Sequence, residues 1–147
     1  MPVGEVCNRD VVITHEATTA MEAAKLMLNH HVGSIVVVDN AKTPHPVGIV
    51  TDRDLVLKVM AAGRDPAKVK LTELMHPHLI TIDEAAPNWE ALERMRTGGI
   101  RRLVVVNKAR ELQGILTLDD MLEFLADELS ELARTVTRGQ KIESAGR

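Results

Sequence analysis

One pattern of residues is written twice in this chain, and that repetition constrains its fold more than any other feature. Residues 7–39, CNRDVVITHEATTAMEAAKLMLNHHVGSIVVVD, lie over residues 75–107, MHPHLITIDEAAPNWEALERMRTGGIRRLVVVN, in one register. Residue 7 falls on residue 75, a shift of 68 held throughout. Met21, Ala24 and Met27 then fall on Trp89, Leu92 and Met95, and Val36–Val38 on Val104–Val106. After a loop two residues shorter in the second copy, GIVTDRD (48–54) meets GILTLDD (114–120) at a shift of 66.

Each copy reads as strand, helix, strand, strand, helix. In the first, Val11–Thr14 is a short strand, and Thr19 with Glu22 forms a T-x-x-E element that opens a helix. Its apolar stripe is Ala20, Ala24, Met27 and Leu28. Ser34–Asp39 is a continuous β-branched run, as a strand covered on both faces requires. A turn-rich loop (40–46) leads to the strand Val47–Val50, and Leu55, Val56, Val59 and Met60 face a second helix that stops near Gly63. In the second copy, Pro87 suits the first helical turn, Gly98-Gly99 the stop, and Leu103–Val106 and Leu112–Leu116 the strands.

The expected architecture is α/β (α+β): two β-α-β-β-α repeats, with repeat 1 at 1–62, a linker at 63–73, repeat 2 at 74–136 and a flexible tail at 137–147. Neither copy, at about 60 residues, buries much core alone, so the two must dock. Met121, Leu122, Leu125, Leu129, Leu132 and Val136 prolong the last helix well past the point where the first copy ends. That extension either lies along its own domain or pairs with a second subunit.

Composition narrows the function. Trp89 and Phe124 are the only Trp, Tyr or Phe residues, which disfavours the stacking platforms of single-strand nucleic-acid binders. A formal net charge of −3 argues against general nucleic-acid or anionic-membrane binding. Cys7 is the only cysteine, so neither an intrachain disulfide nor a Cys-rich zinc site is expected. The first ten residues contain no apolar targeting core and no run approaches a membrane span, so a cytoplasmic protein is expected. His30-His31 and His76-Pro77-His78 lack an accompanying Cys or compact carboxylate cluster, and no metal site is expected. No G-x-S-x-G, H-E-x-x-H or P-loop is present, so an enzyme is not expected.

The two T-x-x-D elements, Thr51–Asp54 and Thr117–Asp120, each follow a strand, a Gly and two apolar residues, and each precedes a helix. In this context the chain resembles a tandem pair of CBS (cystathionine β-synthase) domains, and the lead-ins EVCNRDVV and ELMHPHLI extend the match. The resemblance implies two repeats packed about a pseudo-twofold axis around two clefts. It also implies an adenosyl ligand (AMP, ADP, ATP or S-adenosylmethionine), homodimers, and a regulatory module acting on another protein without catalysis. A structural or dimerisation module with vestigial clefts is the alternative.

Each cleft, by that resemblance, joins the T-x-x-D of one repeat to the first strand and mid-repeat turn of the other. One site then comprises Ile49, Thr51, Arg53, Asp54, Leu79, Ile80, Arg101 and Arg102. The second, weaker site comprises Val11, Val12, Gly33, Ser34, Ile115, Thr117, Asp119 and Asp120. Only the first offers arginine forks, which grip phosphate through paired, charge-assisted hydrogen bonds. A carboxylate at such a turn can accept from ribose hydroxyls, and the helix N-terminus favours phosphate. T-x-x-D is equally a capping-box pattern, so Thr51 and Asp54 also have a purely structural reading.

Overall fold

In a computed structural model, residues 1–76 and 78–146 are described; Pro77 and the last tail residue, Arg147, lie outside the described residues. The repeat is visible in the strand registers. Strand β1 (Ile13–His15) pairs in parallel with β2 (Ser34–Val38), which pairs antiparallel with β3 (Pro46–Thr51). β4 (Thr81–Asp83), β5 (Arg102–Val106) and β6 (Leu112–Thr117) repeat that order in a second sheet. Ile13↔Val36 corresponds to Thr81↔Val104, and Ser34↔Thr51 to Arg102↔Thr117. Even the register shift at Val37/Val38 recurs at Val105/Val106.

The first strand begins later than its sequence suggests, although the Val36 N–H still donates to the Val12 carbonyl at 3.0 Å. The four-residue α1 (Val3–Val6) precedes it. Helix α2 (Ala20–His30) starts where expected, with the Thr19 side chain accepting from the Glu22 N–H. Its buried face is Ala20, Ala23 and Met27; Ala24 and Leu28 turn outward instead. Pro87 is the cap residue before helix α4 (Asn88–Gly98), and Gly99, at φ +62°, ends it in the left-handed region. The second helix of repeat 1 is α-helical only over α3 (Asp52–Leu55), then widens into a π-helical turn, Val56–Met60. That turn carries Val59 into the core and leaves Val56, Leu57 and Met60 exposed. A 3-10 turn at Leu71–Glu73 follows, and α5 (Leu118–Ala145) closes the chain. The stretch expected as a flexible tail from 137 is therefore helical through Ala145. No helix among the described residues is long and apolar enough to cross a membrane.

Three apolar clusters hold this together. One contains Val36, Val38, Val104, Val106 and Ile115. Positions equivalent under the 68-residue shift thus meet between the sheets, as packing about a pseudo-twofold axis requires. The other two are crossed. Val3 packs into the core of repeat 2, where its N–H donates to the Ala86 carbonyl at 2.8 Å. Val69 and Leu71 of the linker and Leu74 at the start of repeat 2 pack into the core of repeat 1. Each small core is completed by the other copy's lead-in, so the repeats are interdependent for stability.

Candidate functional site

The strand-to-helix turns are built alike. Thr51 Oγ1 accepts from the Asp54 N–H at 3.2 Å, and Asp54 Oδ2 accepts from the Thr51 N–H at 2.9 Å. Thr117 and Asp120 repeat the box at 3.0 and 3.1 Å. Both T-x-x-D elements therefore cap their helices. In the first, Asp54 Oδ1 also faces Lys58 Nζ at 3.3 Å, and that ammonium donates to the Leu74 carbonyl at 2.9 Å. Phe124 occupies the position equivalent to Lys58 in the second repeat.

At one end of the layer between the sheets lies an apolar slot of about 190 Å³. Ile49, Leu79, Ile80, Ile100 and Val104 wall it, with His76, His78 and Arg102 at its edge. Beside it, Arg101, Arg102, Thr117, Leu118 and Asp119 line a more polar pocket of about 170 Å³ at the N-terminus of α5. Arg102 borders both. Ligand pockets usually span roughly 300–1,000 Å³, so the slot suits a planar base and the polar pocket a second, charged portion. In the first turn of α5 the Leu118 and Asp120 N–H groups are already bonded, to the Arg101 carbonyl and Thr117 Oγ1, so attraction for an anion there rests mainly on Arg101 and Arg102.

Four residues expected in the first site, Ile49, Leu79, Ile80 and Arg102, thus share one slot. Thr51 and Asp54 are tied into their cap, while Arg53 is exposed and lines neither pocket. Arg101 joins Thr117 and Asp119, which had been grouped with the second site. The cause is strand pairing: Arg102 is the direct cross-strand partner of Thr117, and the Leu118 N–H donates to the Arg101 carbonyl at 2.8 Å. Asp120 serves its cap. Ser34 pairs with Thr51, and the Asp52 N–H donates to the Gly33 carbonyl at 3.0 Å. A methyl placed on Gly33 would sit 3.2 Å from Asp52 Oδ2 and 3.6 Å from Arg102 Nη2. The mid-repeat turns therefore face one another, and Asp52 adds a carboxylate near Arg102.

The equivalent region of the other repeat carries a backbone bridge. Asn8 and Ile115 exchange two backbone hydrogen bonds of 2.9 Å, a bridge with no counterpart between His76 and Ile49 among the described residues. Val11 packs against the inter-sheet cluster to which Ile115 belongs, and Val12 against the core of repeat 1. Cys7 sits beside this bridge, where burial pushes its thiol pKa up, against the pull of Arg9, and keeps it in the less reactive protonated form.

Sequence reasoning missed Asp52, His76, His78, Gly98 and Ile100 as members of this region. The repeat register could have found Ile100, since it matches Val32 beside the first mid-repeat turn. His78 donates its backbone N–H to His76 Nδ1 at 3.3 Å, and the rings lie 6.4 Å apart. Among the described residues, no three His, Cys, Asp or Glu side chains form a group able to hold a metal ion.

Comparison with known proteins agrees with this geometry. An uncharacterised protein of Methanopyrus kandleri is 40% identical over 121 residues, 82% of this chain and 61% of that protein. The chain thus spans less than two thirds of that relative. Among solved structures, a CBS domain protein of Pyrobaculum aerophilum complexed with AMP superposes with a TM-score of 0.74 at 31% identity, over 82% of this chain and 89% of that one. The CBS domain pair of protein MJ0100, in complex with 5′-methylthioadenosine and S-adenosyl-L-methionine, gives 0.74 at 26% identity, over 85% and 99%. The family model for the CBS domain matches twice, at residues 3–61 and 71–127. With both matches coinciding with the two sheets and their crossed lead-ins, the chain belongs to the CBS domain family as a tandem pair of repeats.

Proposed function

We propose that this chain is a regulatory module that binds an adenine nucleotide or related adenosyl ligand in the region bordered by Arg102, and that it carries no chemistry of its own. The observation that carries the reading is the position of Arg102 between an apolar, base-sized slot and a polar pocket at the N-terminus of α5. The base stacks between Ile and Leu side chains, and the phosphates meet Arg101 and Arg102. The AMP and S-adenosylmethionine complexes of the two structural relatives support this ligand class. Because α5 starts in the polar pocket and runs 28 residues without a break, it is a direct path from ligand to partner protein.

The module acts as a homodimer in this reading. Met21, Leu28, Val56 and Met60 on repeat 1 and Trp89 on repeat 2 leave apolar helix faces exposed. The competing reading, a structural dimerisation module with vestigial clefts, is favoured by one observation: both T-x-x-D carboxylates already serve as caps, and Asp54 is paired with Lys58.

Thermal melting with AMP, ADP, ATP, NAD and S-adenosylmethionine separates the two. A ligand at 100 times its Kd stabilises by about 2.7 kcal/mol, a rise in Tm of roughly 5–10 °C. At least one of the five is expected to produce it. No shift from any of them at millimolar concentration would leave the structural module as the better account.

A further inference from the structure

Six apolar residues of α5, Leu122, Leu125, Leu129, Leu132, Val136 and Ile142, are 46–68% exposed. The first five, with Leu118 before them, are spaced alternately four and three residues apart, the 3.5-residue repeat of a coiled-coil seam. Most helical stability in proteins comes from packing of an apolar face, so this stripe calls for a covering surface.

Charge indicates what covers it. Between 119 and 131 the helix carries Asp119, Asp120, Glu123, Asp127, Glu128 and Glu131 and no basic residue. Between 132 and 142 it carries Arg134, Arg138 and Lys141 and no acidic one. The helix dipole explains acidic residues only in the first turn, because its influence fades within that turn. Two parallel copies would set six negative charges beside six, at an axial separation of about 8–10 Å, near the screening length. Two antiparallel copies set each acidic half beside a basic half.

We infer that α5 pairs antiparallel with α5 of a second copy of this chain. The heptad positions then bring Leu129 opposite Leu132 of the partner subunit and Leu125 opposite Val136 of the partner subunit. Leu122 meets Gly139 of the partner subunit. A methyl group at Gly139 would meet nothing within 4 Å in the single chain, so its own fold does not require glycine there. The inference is independent of the ligand reading: the residues it pairs, Leu122 to Gly139, line neither pocket, and its test uses no nucleotide.

The test is a distance between spin labels on full-length protein carrying Cys7→Ser and Lys141→Cys. Residue 141 lies about ten residues beyond the centre of the antiparallel seam. At 1.5 Å per residue the two labels are therefore expected about 30–35 Å apart. That distance should disappear when Leu129→Asp and Leu132→Asp are added. Labels within about 20 Å would mean parallel pairing, and no interchain distance would mean an unpaired arm. A distance that survives the double aspartate change would assign the pairing to another surface. Each of these three outcomes overturns the inference.

Discussion

Replacing Arg102 by alanine is expected to weaken binding of AMP or ATP by roughly 10- to 150-fold while leaving adenosine nearly unaffected. A hydrogen bond to a charged group contributes about 1.5–3 kcal/mol, which sets that range. The selectivity follows from the proposed placement: Arg102 is the charged residue shared by the slot and the polar pocket, whereas the base would rest on the apolar Ile49, Leu79, Ile80 and Ile100. Asp54→Ala and Asp120→Ala serve as controls, because each removes one half of a capping box. Both should lower stability by about 1 kcal/mol. Asp54→Ala should also weaken nucleotide and adenosine alike if its carboxylate holds the ribose, an effect Asp120→Ala should lack. Calorimetric titration of the three variants with AMP and adenosine, alongside melting curves, reads all of these effects. Equal losses of AMP and adenosine in Arg102→Ala would remove the phosphate role from this residue.

The second large effect is on stability. Gly114 lies under the bridge between Asn8 and Ile115, and a methyl group added there would fall 2.7 Å from the Asn8 carbonyl oxygen and 2.8 Å from Cys7 Sγ. The obstacle is backbone held by two hydrogen bonds, so it cannot swing away. Gly114→Ala is expected to destabilise by about 1–3 kcal/mol and lower Tm by roughly 3–10 °C. Gly48 is the equivalent glycine in repeat 1, but there the three atoms nearest the added methyl all belong to the Met75 side chain. Methionine is unbranched and adapts readily, so Gly48→Ala should be the milder change. Denaturant melts of the two variants compare them directly. A larger loss in Gly48→Ala would mean that the Asn8–Ile115 bridge contributes little.

Much of this architecture is legible in the sequence because the repeat supplies an internal check. The register that aligns Val36 with Val104 also places them at equivalent sheet positions, and the two-residue change in shift falls in the loop between paired strands. The caps at Thr19, Thr51 and Thr117 were equally readable, since a hydroxyl followed three residues later by an acid satisfies free amides locally. The crossed lead-ins were not. Val3 and Leu71 are simply apolar residues near a strand, and nothing local says which of two similar cores each will complete. The division of the clefts was hidden for a related reason. The sequence groups Arg101 in one site with Thr51, and in the fold it lines a pocket with Thr117, because the next residue, Arg102, pairs with Thr117 across β5 and β6. The last helical turns were obscured by Gly139 and a polar run, which favour fraying in a chain considered alone.

In the proposed reading an adenosyl ligand sits between the two sheets at the Arg102 end of that layer. Photolabelling with azido-AMP, followed by peptide mapping, tests it most directly. Label is predicted on the segments around residues 78–80 and 98–104, and excess AMP should suppress it. Competable label on residues 8–12 and 32–36 instead, or no label that AMP displaces, would contradict the account.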